Sequence, residues 1–329
     1  MNKHLSLALA SFVVLPLTGC PPMEYEETPD AAMSCPTTTG PGTLHNTRLD
    51  RSETWTAVGN PHVVQGPLSL SQGVQLTLDP CVRVVFRADV SLTVAQPGSR
   101  LVADGEAQRP ITFEAQPGAR WNQIAITHPA SASLRHVRLS GGGGDRFYRN
   151  ATLVLRGDTM LPAKPVARLD HVSVTDSLGA GIVAERAGTF APGSGDLLVT
   201  RSGSDAQPIP VVIGEHAIDG LPTGDYRGNR VDEVLVDPEG ADGRGGLLAD
   251  TVMRDRGVPY RIGNSPVDRF VIGHGGATAP RRTTLTVEPG VTMRFHPGTR
   301  LEVEHYTGPF AASGVLRAVG TPTRPIVSG

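Results

Sequence analysis

One pattern is written twice in this chain. Residues 76–94 read LTLDPCVRVVFRADVSLTV and residues 285–303 read LTVEPGVTMRFHPGTRLEV, 209 positions apart from Leu76 to Leu285. Within each copy the apolar residues fall on alternate positions: Leu76, Leu78, Val82, Val84, Phe86, Leu92 and Val94 against Leu285, Val287, Val291, Met293, Phe295, Leu301 and Val303. A period of two belongs to strands, because successive side chains on a strand point to opposite faces. Asp79-Pro80 in the first copy, and Glu288-Pro289-Gly290 and His296-Pro297-Gly298 in the second, stop each strand after a few residues and turn the chain. Each unit therefore reads strand, corner, strand, corner, with Val291 and Phe295 inside and Thr292 outside.

A second matched block follows both copies, Leu101 to Ile111 against Leu316 to Ile326, and the later one is displaced by six further residues, as an insertion in a surface loop would do. A unit with one thin apolar face cannot bury it alone, so it must stack on neighbours, and short parallel strands stack as a solenoid. The pattern LTVEPGV…F.PG..L.V, followed by G.L.A.GT…RPI, resembles the repeats of right-handed parallel β-helix proteins of the pectin-lyase-like superfamily over about residues 60–329. The resemblance implies an all-β, single-stranded right-handed parallel β-helix for residues 66–329. A further pair of strands, Leu134-Arg-His-Val-Arg-Leu-Ser140 and Leu169-Asp-His-Val-Ser-Val-Thr175, has an apparent echo at Val231-Asp-Glu-Val-Leu-Val-Asp237. Residues 44–65 match no repeat and read as an N-terminal cap, since a solenoid needs an atypical unit over its first coil. At the other end the second copy stops at Arg324-Pro325-Ile326-Val327-Ser328-Gly329, where the first continues into further coils. The expectation is a coil that ends open, either as a truncated relative of a longer repeat protein or with another copy stacked end to end.

Residues 1–20, MNKHLSLALASFVVLPLTGC, combine Lys3 and His4 with an apolar run from Leu5 to Leu17 that is too short to span a bilayer and reads as an export signal. Leu17-Thr18-Gly19-Cys20 resembles the bacterial lipobox, which implies cleavage before Cys20, lipidation of its thiol and anchoring in the cell envelope, with the outer membrane as the expected location. The alternative is an ordinary secretory signal with an incidental cysteine. Residues 21–43 are rich in Pro, Thr and acids and lack periodicity, so they form a disordered tether. With Cys20 committed to lipid, Cys35 and Cys81 are the only remaining cysteines, and an oxidising compartment favours a disulfide between them over two free thiols.

Composition narrows the function classes. There are 30 basic and 32 acidic residues, scattered along the chain, so there is no basic stripe and nucleic acid is not an expected partner. Aromatic residues make up 5%, too few for a groove paved with sugar platforms, while 39 glycines and 28 prolines suit a chain with many corners. Gly273-His274-Gly275 resembles the Gly-His-Gly of polygalacturonases, but the Asn-Thr-Asp, Asp-Asp and Arg-Ile-Lys that accompany it there are missing, so His274 reads as a turn residue. The paired carboxylates of glycoside hydrolysis are not recognisable by motif. His136 and His171 occupy the same slot of a repeated strand and would form a solvated ladder on one outer face, short of the three or four ligands zinc takes. Gly141 to Gly144 read as a corner, not a phosphate cradle. No catalytic residue, metal ligand or cofactor is assigned. The stretch with most oxygens for Ca²⁺, Asp237-Pro-Glu-Gly-Ala-Asp-Gly-Arg-Gly-Gly246, matches neither the EF-hand loop nor the nonapeptide repeat. These readings converge on an envelope lipoprotein that displays its solenoid as a non-enzymatic surface for glycan or protein. The alternatives are a polysaccharide lyase or hydrolase with an unrecognised site, and a structural protein.

Overall fold

A computed structural model describes residues 34–37, 40–158, 163–239, 244–247, 249–273, 281–303, 305–306 and 312–329. The signal with Cys20, most of the tether, His274 and residues 240–243 of the candidate calcium stretch lie outside the described residues.

The chain alternates short strands and sharp corners, and it visits three faces in fixed order. Gln75–Leu78 lies on the first face, Arg83–Phe86 on the second and Leu92–Val94 on the third. The next circuit stacks on this one in parallel. Arg100–Asp104 pairs with the first of these strands and Ile111–Ala115 with the second, while Ile124–Thr127 pairs with the third. The third face shows the rule most plainly. Its sheet has ten strands in strict sequence order, from Leu68–Ser69 to Val327–Ser328. The pairing aligns Leu68, Leu92, Ile124, Leu153, Ile182, Val211, Val234, Tyr260 and Met293 in one column. All nine are buried in a single apolar core. Each apolar side chain withdrawn from water in this way contributes roughly 1.5–3 kcal/mol, and the column repeats once per circuit. The fold is thus all-β, with long sheets of parallel strands, and is compatible with a parallel β-helix.

The two sequence copies share strands and corners but not faces. Arg83–Phe86 lies in the twelve-stranded sheet, whereas its counterpart Thr292–Phe295 lies in the ten-stranded one, so the second copy is advanced by one face around the circuit. All three faces obey the same local rule, and nothing in the rule marks which face comes next. The corners do match. Cys81 and Gly290 both have positive φ, 70° and 92°, as do Asp89 and Gly298, at 59° and 92°. Val82 N–H donates to Asp79 O at 3.2 Å and Val291 N–H to Glu288 O at 3.3 Å, closing the same turn twice. Val291 is buried and Phe295 packs on the core, while Thr292 lies between buried neighbours on the opposite parity.

Residues 44–65 already carry strands of the sheets. Thr43–His45 pairs in parallel with His62–Val64, and Glu53–Trp55 with Gln75–Leu78. Trp55 stacks against both His45 and His62, at centroid distances of 3.8 and 4.8 Å, and the two imidazoles lie 5.2 Å from each other. Deeper in the coil, Phe86 stacks on Trp121 at 4.5 Å, and the indole N–H donates to Ser140 O at 2.8 Å. On the third face the outward column Ala125, Val154, Val183, Val212 and Leu235 is also apolar and buried, covered by Tyr148, Ala151, Ala180 and Ile209. Leu153, Val154 and Leu155 in the strand Leu153–Arg156, and the whole of Val211–Ile213, are therefore continuous apolar runs, as expected of strands buried on both sides.

Candidate functional site

Two strands are long enough to cover two faces. Ser131–Ser140 pairs with Arg100–Asp104 through residues 131–135 and with Ile111–Ala115 through residues 137–139. Between these halves His136 turns the chain with φ 47°, and His171 does the same at 54° in Lys164–Thr175. Left-handed φ at a non-glycine residue is uncommon, and here it makes one residue do the work of a corner. Asp196, φ 51°, is the next corner in the column, since Asp170 bridges Gly195 on the following circuit. The three successive corners are thus His136, His171 and Asp196, each followed by an inward apolar residue: Val137, Val172 and Leu197. Val137, Leu139, Val172 and Val174 all point into the core.

The imidazoles of His136 and His171 lie 4.6 Å apart, centroid to centroid, tilted by 39°. His171 Nδ1 is 2.9 Å from Asp170 Oδ1 and its Nε2 is 3.3 Å from Asp196 Oδ2. Asp170 is held from the other side by Arg168 at 3.1 Å. Asp104, Arg135 and Asp170 are aligned beside the corner, with Arg135 Nε 2.6 Å from Asp104 Oδ1. Partial desolvation, then the neighbouring charges of His171 and Arg135, lower the His136 pKa against the opposing pull of Asp170 and Asp104. A shallow open groove of about 300 Å³ runs along this corner, lined by Ala107, Pro110, His136, Arg138, His171, Val172, Ser173, Asp196 and Leu198. One end is formed by the 105–110 loop. A Cβ at Gly105 would stand 2.7 Å from the His136 carbonyl oxygen, so this close approach needs glycine.

The other sequence candidates fall elsewhere. Cys35 and Cys81 form a disulfide with a Cα–Cα distance of 5.2 Å, and Cys81 is buried at its corner. Gly141 and Gly143 have positive φ, and a Cβ on Gly143 would meet Asn150 O at 2.3 Å, so this stretch is a close-packed corner. In the candidate calcium stretch, Asp237 pairs with Arg149, and the Glu239 carboxylate accepts from the N–H groups of Arg186 and Ala187. These oxygens are engaged with the protein. Burial, with a smaller push from Glu215, raises the Glu239 pKa to about 7. The echo at Val231 to Asp237 belongs to the third face, in Val234–Val236, and is not a third copy of the histidine strand. The third copy is Asp196-Leu197-Leu198-Val199, which follows the His-Val-Arg-Leu and His-Val-Ser-Val pattern with Asp in the corner slot. Sequence reasoning passed over Asp170 and Asp196. The signal was present in Gly195-Asp196 before an apolar run, because Asp, like Asn, tolerates the left-handed conformation.

No protein-family model matches this chain, no curated protein is similar to it, and no solved structure matches it. The corner groove therefore has to be read from its own chemistry. It offers two imidazoles, one guanidinium, one hydroxyl and the Asp196 carboxylate, with Asp170 behind His171, on stacked parallel strands.

Proposed function

We propose that this chain is a bacterial cell-envelope lipoprotein, anchored through Cys20, whose right-handed parallel β-helix of pectin-lyase-like architecture serves as a non-enzymatic binding surface for an extended glycan. The observation that carries this reading is the groove at the His136–His171–Asp196 corner. It crosses successive circuits, and stacked strands repeat their outward groups about every 4.8 Å. A polymer laid across the stack meets Arg138 and then Ser173 from aligned positions, with apolar Leu198 on the next circuit and the histidines beside them. Hydrogen bonding, not aromatic stacking, supplies the recognition, in keeping with the low aromatic content.

Screening the intact protein against a glycan array tests this. The expected result is retention of one glycan class, weakened by Arg138→Ala and by Ser173→Ala; an array without hits, or hits indifferent to both changes, contradicts it. The anchor is tested separately, since Cys20→Ser should move the protein from membranes to the soluble fraction. An enzymatic reading draws on two carboxylates at the same corner, Asp196 in the groove and Asp170 beside it, whose oxygens lie within 4.8 Å of one another, shorter than the separation of about 5–5.5 Å in retaining glycosidases. Shortened products from any bound glycan would favour that second reading.

A further inference from the structure

The His171 ring presents a problem that a passive histidine ladder does not solve. Both of its nitrogens face carboxylates, Nδ1 towards Asp170 and Nε2 towards Asp196. A neutral imidazole carries a single N–H, so it donates to one of them and sets a ring lone pair against the other carboxylate. A cation between the two lone pairs removes that repulsion. We infer that His171 and Asp196, oriented by Asp170, form a binding site for a first-row divalent metal ion, of which Zn²⁺ is the representative.

The distances suit this assignment. Ligands about 2.0–2.1 Å from a tetrahedral zinc stand roughly 3.3–3.4 Å from each other, the edge of the tetrahedron. His171 Nε2 and Asp196 Oδ2 are 3.3 Å apart. Nδ1–H then donates to Asp170 at 2.9 Å, the arrangement by which a ligating histidine is usually held in one tautomer, and Arg168 fixes Asp170 in turn. Ligand atoms of Asp170, His171 and Asp196 all lie within 4.8 Å of one another. The His136 imidazole stands beside His171, 4.6 Å ring to ring, and the open groove leaves the remaining positions to water or to a ligand oxygen. A set containing imidazole favours zinc, nickel, cobalt or copper over calcium, which takes six to eight oxygens. The inference does not depend on the glycan reading, because the ion is held by the protein alone.

Calorimetric titration of the chelator-treated intact protein with Zn²⁺, without any glycan, tests it. One equivalent should bind, His171→Asn and Asp196→Asn should each weaken binding at least tenfold, and Asp170→Asn should weaken it about 10–100-fold. Asparagine is chosen at both corners because it tolerates their left-handed backbone, so the variants should keep the wild-type circular dichroism. Co²⁺ should give a visible d–d absorption that the His171→Asn protein lacks, and His296→Ala, far along the chain at another corner, should bind as wild type. Absence of Zn²⁺ uptake, unchanged binding in His171→Asn or Asp196→Asn, or Ca²⁺ binding as tight as Zn²⁺ would each overturn the assignment.

Discussion

Glu233 offers a test in which burial, not the number of ion pairs, decides the outcome. Its side chain is 2% exposed and accepts from Arg261 Nε at 2.6 Å and Arg294 Nη1 at 2.7 Å, tying together three consecutive circuits of the third face. The two arginines stand in the outward column just past Leu235, where the apolar cover ends, and their side chains are 37% and 58% exposed. Glu233→Ala deletes both pairs but leaves behind only cations that water can reach, and it also removes a costly buried carboxylate. A loss of about 1 kcal/mol is expected, in line with exposed pairs. The double change Arg261→Ala with Arg294→Ala deletes the same two pairs and strands the carboxylate in the interior, which costs about 3–5 kcal/mol. The triple variant should return to near the Glu233→Ala value, which separates the unpaired charge from lost packing of the arginine stems. Because strands stacked in this way contact chiefly their neighbours and open locally, the readout is amide exchange at Val234–Val236 and Tyr260–Ile262 and not a single melting temperature. Equal damage from the single and double changes, or a triple variant no better than the double, would refute the reasoning.

Two more predictions concern the core and pH. Val291→Asp should unfold the circuits around residues 285–303, since an unpaired buried carboxylate costs several kcal/mol, while Thr292→Asp should be nearly silent; comparable exchange rates in the two variants would show the register to be wrong. Acidification should act with opposite signs at two places. Burial, then the charge of His62, lowers the His45 pKa to about 4, against a smaller opposing effect of Glu53, so its contribution is present above about pH 6.5 and is lost as pH falls through 4. The Glu239 pKa is raised to about 7, chiefly by burial, so its contribution is full below about pH 4.3 and is lost as pH rises through 7. Amide exchange corrected for intrinsic rates should show residues 43–64 less protected, and residues 184–190 more protected, at pH 5 than at pH 7.5. A shift of the same sign in both would contradict the two assignments.

The strand-and-corner grammar was legible because it is local. Alternation places Val137, Leu139, Val172 and Val174 inside, and the positive φ of Gly290 and Gly298 is signalled by Pro-Gly. The assignment of strands to faces was not legible, because Arg83–Phe86 and Thr292–Phe295 follow one pattern in different sheets. Burial on both sides of the third face could be read only from runs such as Val211–Ile213, which lack the alternation of a half-exposed strand. The corner site was half visible. His136 and His171 share a slot in sequence, but Asp196 reaches the same column through a circuit of a different length, in which the first-face strand Gly188–Phe190 is separate from Leu197–Thr200 instead of continuous with it. Side chains that meet across circuits depend on how much chain each circuit spends in its loops, and that number is not periodic.

The claim on which the site rests is that residues 131–140 and 164–175 stack in register, placing His136 against His171. Ser133 and Arg168 are outward partners in that register, and parallel neighbours stand about 4.8 Å apart, within the span of a disulfide. Ser133→Cys with Arg168→Cys should therefore cross-link on mild oxidation, read by non-reducing peptide mass spectrometry, with Cys35–Cys81 intact. Ser133→Cys with Leu169→Cys should not, because Leu169 points into the core. Cross-linking of the second pair in place of the first would mean that the strands are offset by one residue and that the two histidines do not share a corner.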